Sequence, residues 1–303
     1  MSEDASRHLG LDLGATNVKW SVVEHAGAGW RALDRGQVRT PAGGPDAVVA
    51  GLVEVGRTAI DRWPTVASLG IGVPGLYDAE TGAARFLPNL PGDWNGQPIA
   101  VPVGGALGLP ASLINDARAF GLAELRLGAG RGCMTMVGLT LGSGVGGVVV
   151  VDGHVYFGHD GTSGEIGHQT IEAEGPACTC GNRGCLEALT RAERIAAACG
   201  TETAEEAVEA ARRGNRRARS GLAQVGRYLG IGIANMIVVL TPDRVVLGGG
   251  VAAAGDLLLD PVREEVRRRV HVTDLDCVEI VMAELGTWAG AIGAAVHGAE
   301  RMA

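Results

Sequence analysis

Twice in this chain an apolar strand runs into a glycine turn and leaves it as a second strand. Leu9–Leu13 is followed by Gly14-Ala15-Thr16-Asn17, and Val18–Glu24 resumes an extended pattern. More than a hundred residues later, Val137–Leu141 leads into Gly142-Ser143-Gly144, and Gly147–Val151 resumes a strand. A glycine at the tight point lets the chain reverse and lets another group approach the backbone. The recurrence points to an internal duplication of one architectural unit. Between the two hairpins, and after them, apolar strands alternate with helical patterns. Asp46–Arg62 repeats apolar residues at helical spacing behind Pro45, and Val66–Val73 reads as a buried strand ending in Pro74-Gly75. Ala111–Ile114 is a short strand that runs through Asn115-Asp116 into a helix over Ala117–Leu127. In the second half, Ala204–Arg213, Arg216–Leu240, Leu257–Val270 and Ala289–Ala299 are helical, and Arg244–Leu247 and Val278–Ala283 are strands. This alternation predicts an α/β fold with largely covered sheets. Pro88–Gly108 reads as an irregular loop, and with no low-complexity linker the expectation is two interleaved lobes.

Composition narrows the function classes. The net charge of −8 argues against nonspecific nucleic-acid or anionic-membrane binding. The longest apolar run, Ile231–Leu240, falls short of a bilayer span and is broken by Gly232 and Asn235. Met1–His8 is polar and charged, unlike a signal peptide, and three of the six cysteines are crowded together rather than spread as a disulfide framework. A reducing cytoplasm is the expected compartment. Cys133, Cys199 and Cys277 stand alone in apolar surroundings and are expected to be buried thiols.

Five segments carry chemistry. Gly164–Glu187 holds His168, Cys178, Cys180 and Cys185 as H-x9-C-x-C-x4-C, the composition of a closed tetrahedral zinc site. The bland reading is three buried thiols and a core histidine. Glu165 and Glu187 bracket the set, and a purely structural zinc would not require them. Metal on one nitrogen of His168 would leave the other ring N–H for a ligand. Asp12-x-Gly14-x-Thr16 offers a carboxylate for Mg²⁺, a close backbone and a hydroxyl; an ordinary hairpin turn uses the same residues. Gly142–Gly147 is a second phosphate candidate, but a strand follows it where a dinucleotide fingerprint needs a helix. Gly248-Gly249-Gly250 ends a strand before a helix and suits a nucleoside or a plain turn. Asn115-Asp116 lies at a strand's C-terminal end, where Asp116 could act as general base or merely cap the helix.

Taken together, these residues resemble the ROK family of sugar kinases and repressors. The resemblance rests on DLGATNVK at Asp12–Lys19, PNL at Pro88–Leu90, INDA at Ile114–Ala117, LTLGSGVGGV at Leu139–Val148, GEIGH at Gly164–His168, CTCGNRGCLE at Cys178–Glu187 and VVLGGGV at Val245–Val251. It implies an actin/hexokinase-like, duplicated ribonuclease-H-like fold of two lobes with an ATP cleft between them. Residues 1–115, completed by 289–303, would form the small lobe, and residues 116–288, with a zinc loop at 164–187, the large one. The implied activity is ATP-dependent phosphorylation of a hexose at the 6-hydroxyl, glucose first; N-acetylglucosamine, N-acetylmannosamine and fructose kinases of the family are alternatives, as is a sugar sensor without catalysis. Asp116 would be the general base. Asn89, Asn115, Asp116, Glu165, His168 and Glu187 would bind the sugar. Asp12, Gly14, Thr16, Asn17, Gly142, Ser143 and Gly144 would serve ATP phosphates and Mg²⁺, and Gly248, Gly249 and Gly250 the nucleoside. Zinc on His168, Cys178, Cys180 and Cys185 would be structural, four protein ligands leaving no open position. The resemblance also implies a homodimer or homotetramer. The chain departs from the family pattern at Ala15 and Asn17, where many members carry Gly and Lys, and at Val148, where a third Gly is missing. Counted from Thr16 as inward, strand alternation turns Lys19 away from the phosphate side. The family's repressors carry an N-terminal helix-turn-helix, which an acidic chain with eight residues before its first strand does not match.

Overall fold

The alternation Leu9, Leu11, Leu13 sets the first strand, β1 (Ser6–Leu13), with those three residues on one face and His8, Gly10 and Asp12 on the other. The computed structural model describes residues 5–27 and 29–302. Strand β1 pairs antiparallel with β2 (Asn17–Ala26), which pairs antiparallel with β3 (Gly29–Arg39). Helix α1 (Pro45–Arg62), with proline in its first turn and Asp46 beside it, crosses back to β4 (Val66–Val73), which lies parallel to β1. A short hairpin, β5 (Leu76–Asp78) and β6 (Ala83–Phe86), precedes helix α2 (Ala100–Leu107). Strand β7 (Ala111–Asn115) then adds parallel to β4 and runs directly into α3 (Asp116–Leu127). The sheet order is β3-β2-β1-β4-β7. The stretch 88–108, expected to be irregular, thus contains α2, whose short apolar sequence shows too little periodicity to be read as a helix.

The second half repeats the plan. Strands β8 (Met136–Leu141), β9 (Val145–Val151) and β10 (His154–Val155) form an antiparallel meander. Helices α4 (Leu186–Thr190), α5 (Ala192–Cys199), α6 (Ala204–Arg212) and α7 (Arg216–Leu240) follow. Strand β11 (Arg244–Gly248) returns parallel to β8, and after α8 (Asp256–Arg269) strand β12 (Glu279–Met282) lies parallel to β11. The order β10-β9-β8-β11-β12 has the same topology as the first sheet. Leu222, Val225, Leu229, Ile233 and Ile237 of α7 form the spine of this half's core with Val262 and Val266 of α8. By length and composition α7 would suffice to cross a membrane, but half of its most apolar window is buried inside the protein.

The final helix, α9 (Ala289–Glu300), belongs to the first compact unit, which comprises the chain up to Gly128 and from Thr287 onward; the second unit is Ala129–Gly286. Helix α9 lies on β1 and β4 at backbone contact. A Cβ on Gly70 would overlap the Ala294 carbonyl, and one on Gly10 the Ala291 carbonyl. Helix α3 packs along α9 in the same unit, so the division falls after α3, whereas the expected lobe boundary preceded it at 115/116.

Candidate active site

In the first unit, the register Asp12↔Gly72 and Val73↔Asn115 brings the C-terminal ends of β1, β4 and β7 side by side. Ligand sites of parallel α/β sheets form at such ends. Asp12 rests against Gly290 in the first turn of α9, where any Cβ would collide with its carboxylate. Burial there, together with the Asp116 carboxylate, pushes Asp12 up to about 7, against the downward pull of Lys19. The turn beyond it is held by Gly14 N–H to the Asn17 carbonyl at 3.0 Å and by Thr40, whose hydroxyl donates to the Gly14 carbonyl at 2.6 Å. Thr16 is exposed at the tip.

Asn115 caps the head of α3. Its Oδ1 accepts from the N–H groups of Ala117 and Arg118, at 3.1 and 3.3 Å, so it is the N-cap. Its Nδ2 donates to the Gly75 carbonyl at 3.1 Å, and Gly75, at φ +84, brings the strand-end turn within reach. Asp116 is the first residue of the helix, exposed, with Oδ1 2.8 Å from the Ala117 N–H. Asn89 is exposed in a turn at φ 65, a left-handed conformation that asparagine tolerates better than most residues.

Lys19 does not point away from this group. It pairs directly with Asp12 across β1 and β2, and facing residues of an antiparallel pair project from the same side of the sheet. Its Nζ donates to the Thr287 carbonyl at 2.9 Å. Counting alternation from Thr16 failed because Thr16 lies in the turn, outside β2. Folding the hairpin about Gly14–Asn17 gives the pair instead. The contributions of Thr40, Gly75 and Thr287 come from backbone geometry or from a distant segment and leave no local sequence signal.

In the second unit, Gly248 pairs with Thr140 across β11 and β8, so the turn Gly142–Gly144 and the segment Gly248–Gly250 emerge together from adjacent parallel strands. Gly249, at φ +89, presses its backbone on Leu141 so closely that no side chain fits. The turn is anchored at both ends: Ala192 N–H donates to the Gly142 carbonyl at 2.8 Å, and Val145 N–H donates to Glu187 Oε2 at 2.9 Å. Ser143 is exposed between these anchors. Glu187, in the first turn of α4, therefore supports the glycine turn.

The metal-type residues converge. The ligand atoms of His168, Cys178, Cys180 and Cys185 all lie within 4.8 Å of one another. His168 Nδ1 is 3.7 Å from Cys178 Sγ, and Cys180 Sγ is 3.7 Å from Cys185 Sγ. A disulfide would need about 2.05 Å. Tetrahedral zinc with the usual Zn–S and Zn–N bonds sets ligand atoms roughly 3.4–3.8 Å apart, so the donor set fits that ion. Burial pushes the Cys185 thiol up to about 12, so this sulfur keeps its proton unless a cation displaces it. The loop is tied by Cys178 N–H to the Asn182 carbonyl at 2.8 Å and by Gly184, at φ +64, against the Glu172 backbone. Glu165 precedes the 3₁₀ turn Ile166–His168 and is exposed, and Glu187 Oε1 lies 3.9 Å from Cys178 Sγ. Of the three isolated cysteines, Cys133 and Cys199 are buried as expected, but Cys277 is exposed at a 3₁₀ turn before β12, where its thiol donates to the Asp274 carbonyl at 2.8 Å.

The ROK family model matches residues 8–299. A glucokinase of Thermotoga maritima is 34% identical, the alignment covering 97% of this chain and 98% of that protein. Among solved structures, a ROK hexokinase from Thermus thermophilus superposes with a TM-score of 0.83 at 34% identity, covering 98% of this chain and 99% of that one. A ROK family glucokinase from Streptomyces griseus, in complex with glucose and AMPPNP, superposes with a TM-score of 0.81 at 29% identity over 97% of this chain and 100% of that one. The fold is the actin/hexokinase-like α/β fold of two lobes.

Proposed function

The chain belongs to the ROK family, and on that premise we propose that it is an ATP-dependent glucokinase, transferring the γ-phosphoryl group to the 6-hydroxyl of glucose. The observation that carries the chemistry is the place of Asp116, an exposed carboxylate at a strand's C-terminal end that shares the Ala117 N–H with Asn115, at 2.8 and 3.1 Å, while Asn115 alone also takes the Arg118 N–H. Asp116 is the general base that accepts the proton of the attacking hydroxyl. Asn89, Asn115, Glu165, His168 and Glu187, with Asp116, bind the sugar hydroxyls, each of which donates and accepts. The Gly142–Gly144 turn, closed by the Gly142 N–H on the Gly144 carbonyl at 2.9 Å, serves the phosphates through the N–H groups of Ser143 and Gly144, with Gly14 and the Thr16 hydroxyl, and Gly248–Gly250 the nucleoside.

Two metals belong to this reading. Asp12, a carboxyl oxygen donor whose ionisation is held back by burial and by a second carboxylate, would be drawn to its charged form by Mg²⁺, which when bound neutralises phosphate charge in phosphoryl transfer. His168, Cys178, Cys180 and Cys185 suit a structural zinc that stiffens the loop carrying Glu165 and Glu187. The protein acts in the cytoplasm as a dimer or tetramer.

A panel of glucose, N-acetylglucosamine, N-acetylmannosamine, mannose, fructose and allose, read by ADP release, tests the proposal. Glucose is expected to give the highest kcat/KM. A higher value with an N-acetylated sugar or fructose reassigns the substrate, and no sugar-dependent release with any of them refutes the kinase.

A further inference from the structure

A cavity of about 230 Å³ opens in the second unit between α4, α5 and α7. Its shape follows from small residues. On α7, Gly221, Gln224, Val225 and Tyr228 recur at helical spacing and share one face. Gly221 brings that helix against the backbone of α5, where a Cβ would meet the Ala198 carbonyl carbon at 2.9 Å. Beyond this contact Ala188 of α4 and Ala197 and Ala198 of α5 fill little space, and with Pro176, Leu189 and Val225 they leave an apolar floor. Three polar side chains rim it: Arg194, Gln224 and Tyr228. Among the described residues, none of the three side chains has a hydrogen-bond or ion-pair partner. No carboxylate lines the cavity, so Arg194 gives it a positive rim. The walls also hold the second glycine turn. Helix α4 supplies both Leu189 and Glu187, whose Oε2 takes the Val145 N–H; α5 supplies both Arg194 and Ala192, whose N–H takes the Gly142 carbonyl. We propose that this cavity is an effector site for a small organic anion, a carboxylate or phosphoester on a short carbon chain, and that its occupancy alters the Gly142–Val145 turn. The oxyanion pairs with Arg194 in a charge-assisted contact, Gln224 and Tyr228 donate to its oxygens, and the carbon chain lies on the floor. A ligand that fits one arrangement of α4 and α5 better than another shifts the turn by that difference in affinity. Binding stands on the cavity alone, whereas the effect on catalysis rests on the reading of Gly142–Gly144 as a phosphate turn.

Butyrate and glycerol 3-phosphate are the probes, with butyramide and glycerol as their uncharged counterparts. Saturation-transfer NMR on the whole protein with millimolar probe is expected to show binding of at least one anion and of neither counterpart. Butyrate alone marks a carboxylate site, and glycerol 3-phosphate alone a phosphoester site. Arg194→Gln should weaken binding about tenfold or more, which separates this cavity from the glycine turns; Tyr228→Phe, which keeps the ring, should weaken it less. Without a probe both variants should keep the parental kcat. The bound anion is expected to change KM for ATP about fivefold in the parent and not in Arg194→Gln. The proposal falls if neither anion binds, if the uncharged counterparts bind as well, or if Arg194→Gln binds like the parent. Binding through Arg194 that leaves kcat and KM for ATP unchanged overturns the effector role. If the parent releases no ADP with any sugar, the kinase reading fails on its own account. The site is then judged by the NMR titration and by hydrogen exchange of the Val145 amide, which the anion should change in the parent and not in Arg194→Gln; an indifferent amide sinks the effector role.

Discussion

Substituting Glu187 separates two jobs held by one side chain. Its Oε2 accepts the Val145 N–H at 2.9 Å, and Val145 is only 4% exposed, so water has little access to that donor. Glu187→Ala leaves a buried N–H without its acceptor, at a cost of about 1–3 kcal/mol. Taking about 2 kcal/mol and the unfolding entropy of a unit of this size, Tm should fall by roughly 4–8 °C. Glu187→Gln keeps an oxygen for Val145 and nearly the same volume, so its Tm should stay within about 2 °C of the parent. The same variant replaces a charged acceptor by a neutral one toward sugar hydroxyls. That difference, about 1–1.5 kcal/mol, predicts a KM for glucose raised about tenfold. Thermal-shift measurement and coupled ADP release at saturating ATP read the two effects separately. A Glu187→Gln protein as unstable as Glu187→Ala would refute the reasoning, because the retained oxygen would then have done nothing. So would a Glu187→Ala protein with the parent's Tm.

Asp116→Asn should lower kcat by about 10²–10⁴-fold while glucose binding persists and α3 keeps its Asn115 cap; near-parental kcat removes Asp116 as the base. Untagged protein should contain one zinc per chain, and chelation should lower Tm and raise KM for glucose, whereas metal-free protein of unchanged Tm refutes a structural zinc. His297 of α9 has its pKa lowered to about 4 by burial and by Arg301, against a backbone hydrogen bond at Leu113 that raises it. A folded-state value below the unfolded one means that the unfolded chain binds the extra proton. Its contribution is therefore full above about 6.5 and is lost as pH falls through 4, by about 3 kcal/mol in all. His297→Gln should flatten the acid limb of stability between those pH values, and an unaltered limb in urea titrations at pH 7, 5.5 and 4.5 excludes His297 as its source.

The parts of the fold that could be read in the sequence are those set by local periodicity. The boundaries of α7 at Arg216 and Leu240 agree with the expected helix, because its apolar spacing and the Asn215 cap mark it on both counts. Helix α2 escaped, because Ala100–Leu107 is apolar nearly all round and carries two glycines. Cys277 escaped because it ends a 3₁₀ turn, Leu275–Cys277, and is exposed there although the next residue, Val278, is buried. The convergence of His168 with the three cysteines was legible because the four crowd one short glycine-rich segment. The tie between Glu187 and Val145 was not, because it joins residues 42 positions apart through a backbone donor that any sequence would possess.

The duplicated topology explains why the two glycine turns differ in chemistry while sharing a place in the sheet. In the first copy, Leu13 pairs with Val18, leaving four residues in the turn; in the second, Leu141 pairs with Val145, leaving three. One step back along each ladder, the first copy pairs Asp12 with Lys19 and the second pairs Thr140 with Gly146. The same structural position therefore holds a carboxylate and an ammonium in one copy and an uncharged pair in the other. With no charge of its own at that pair, the second turn can offer an anion its backbone N–H groups, and the approach of Glu187 and Ala192 holds that backbone in place. In the proposed reading, the first turn would bring a cation to phosphate through Asp12. Equal treatment of the two turns by mutation should thus give unequal results: a side-chain charge matters at the first, whereas at the second the damage comes from a Cβ at Gly144, which would press on Glu187 Oε2, while a Cβ at Gly142 meets open space.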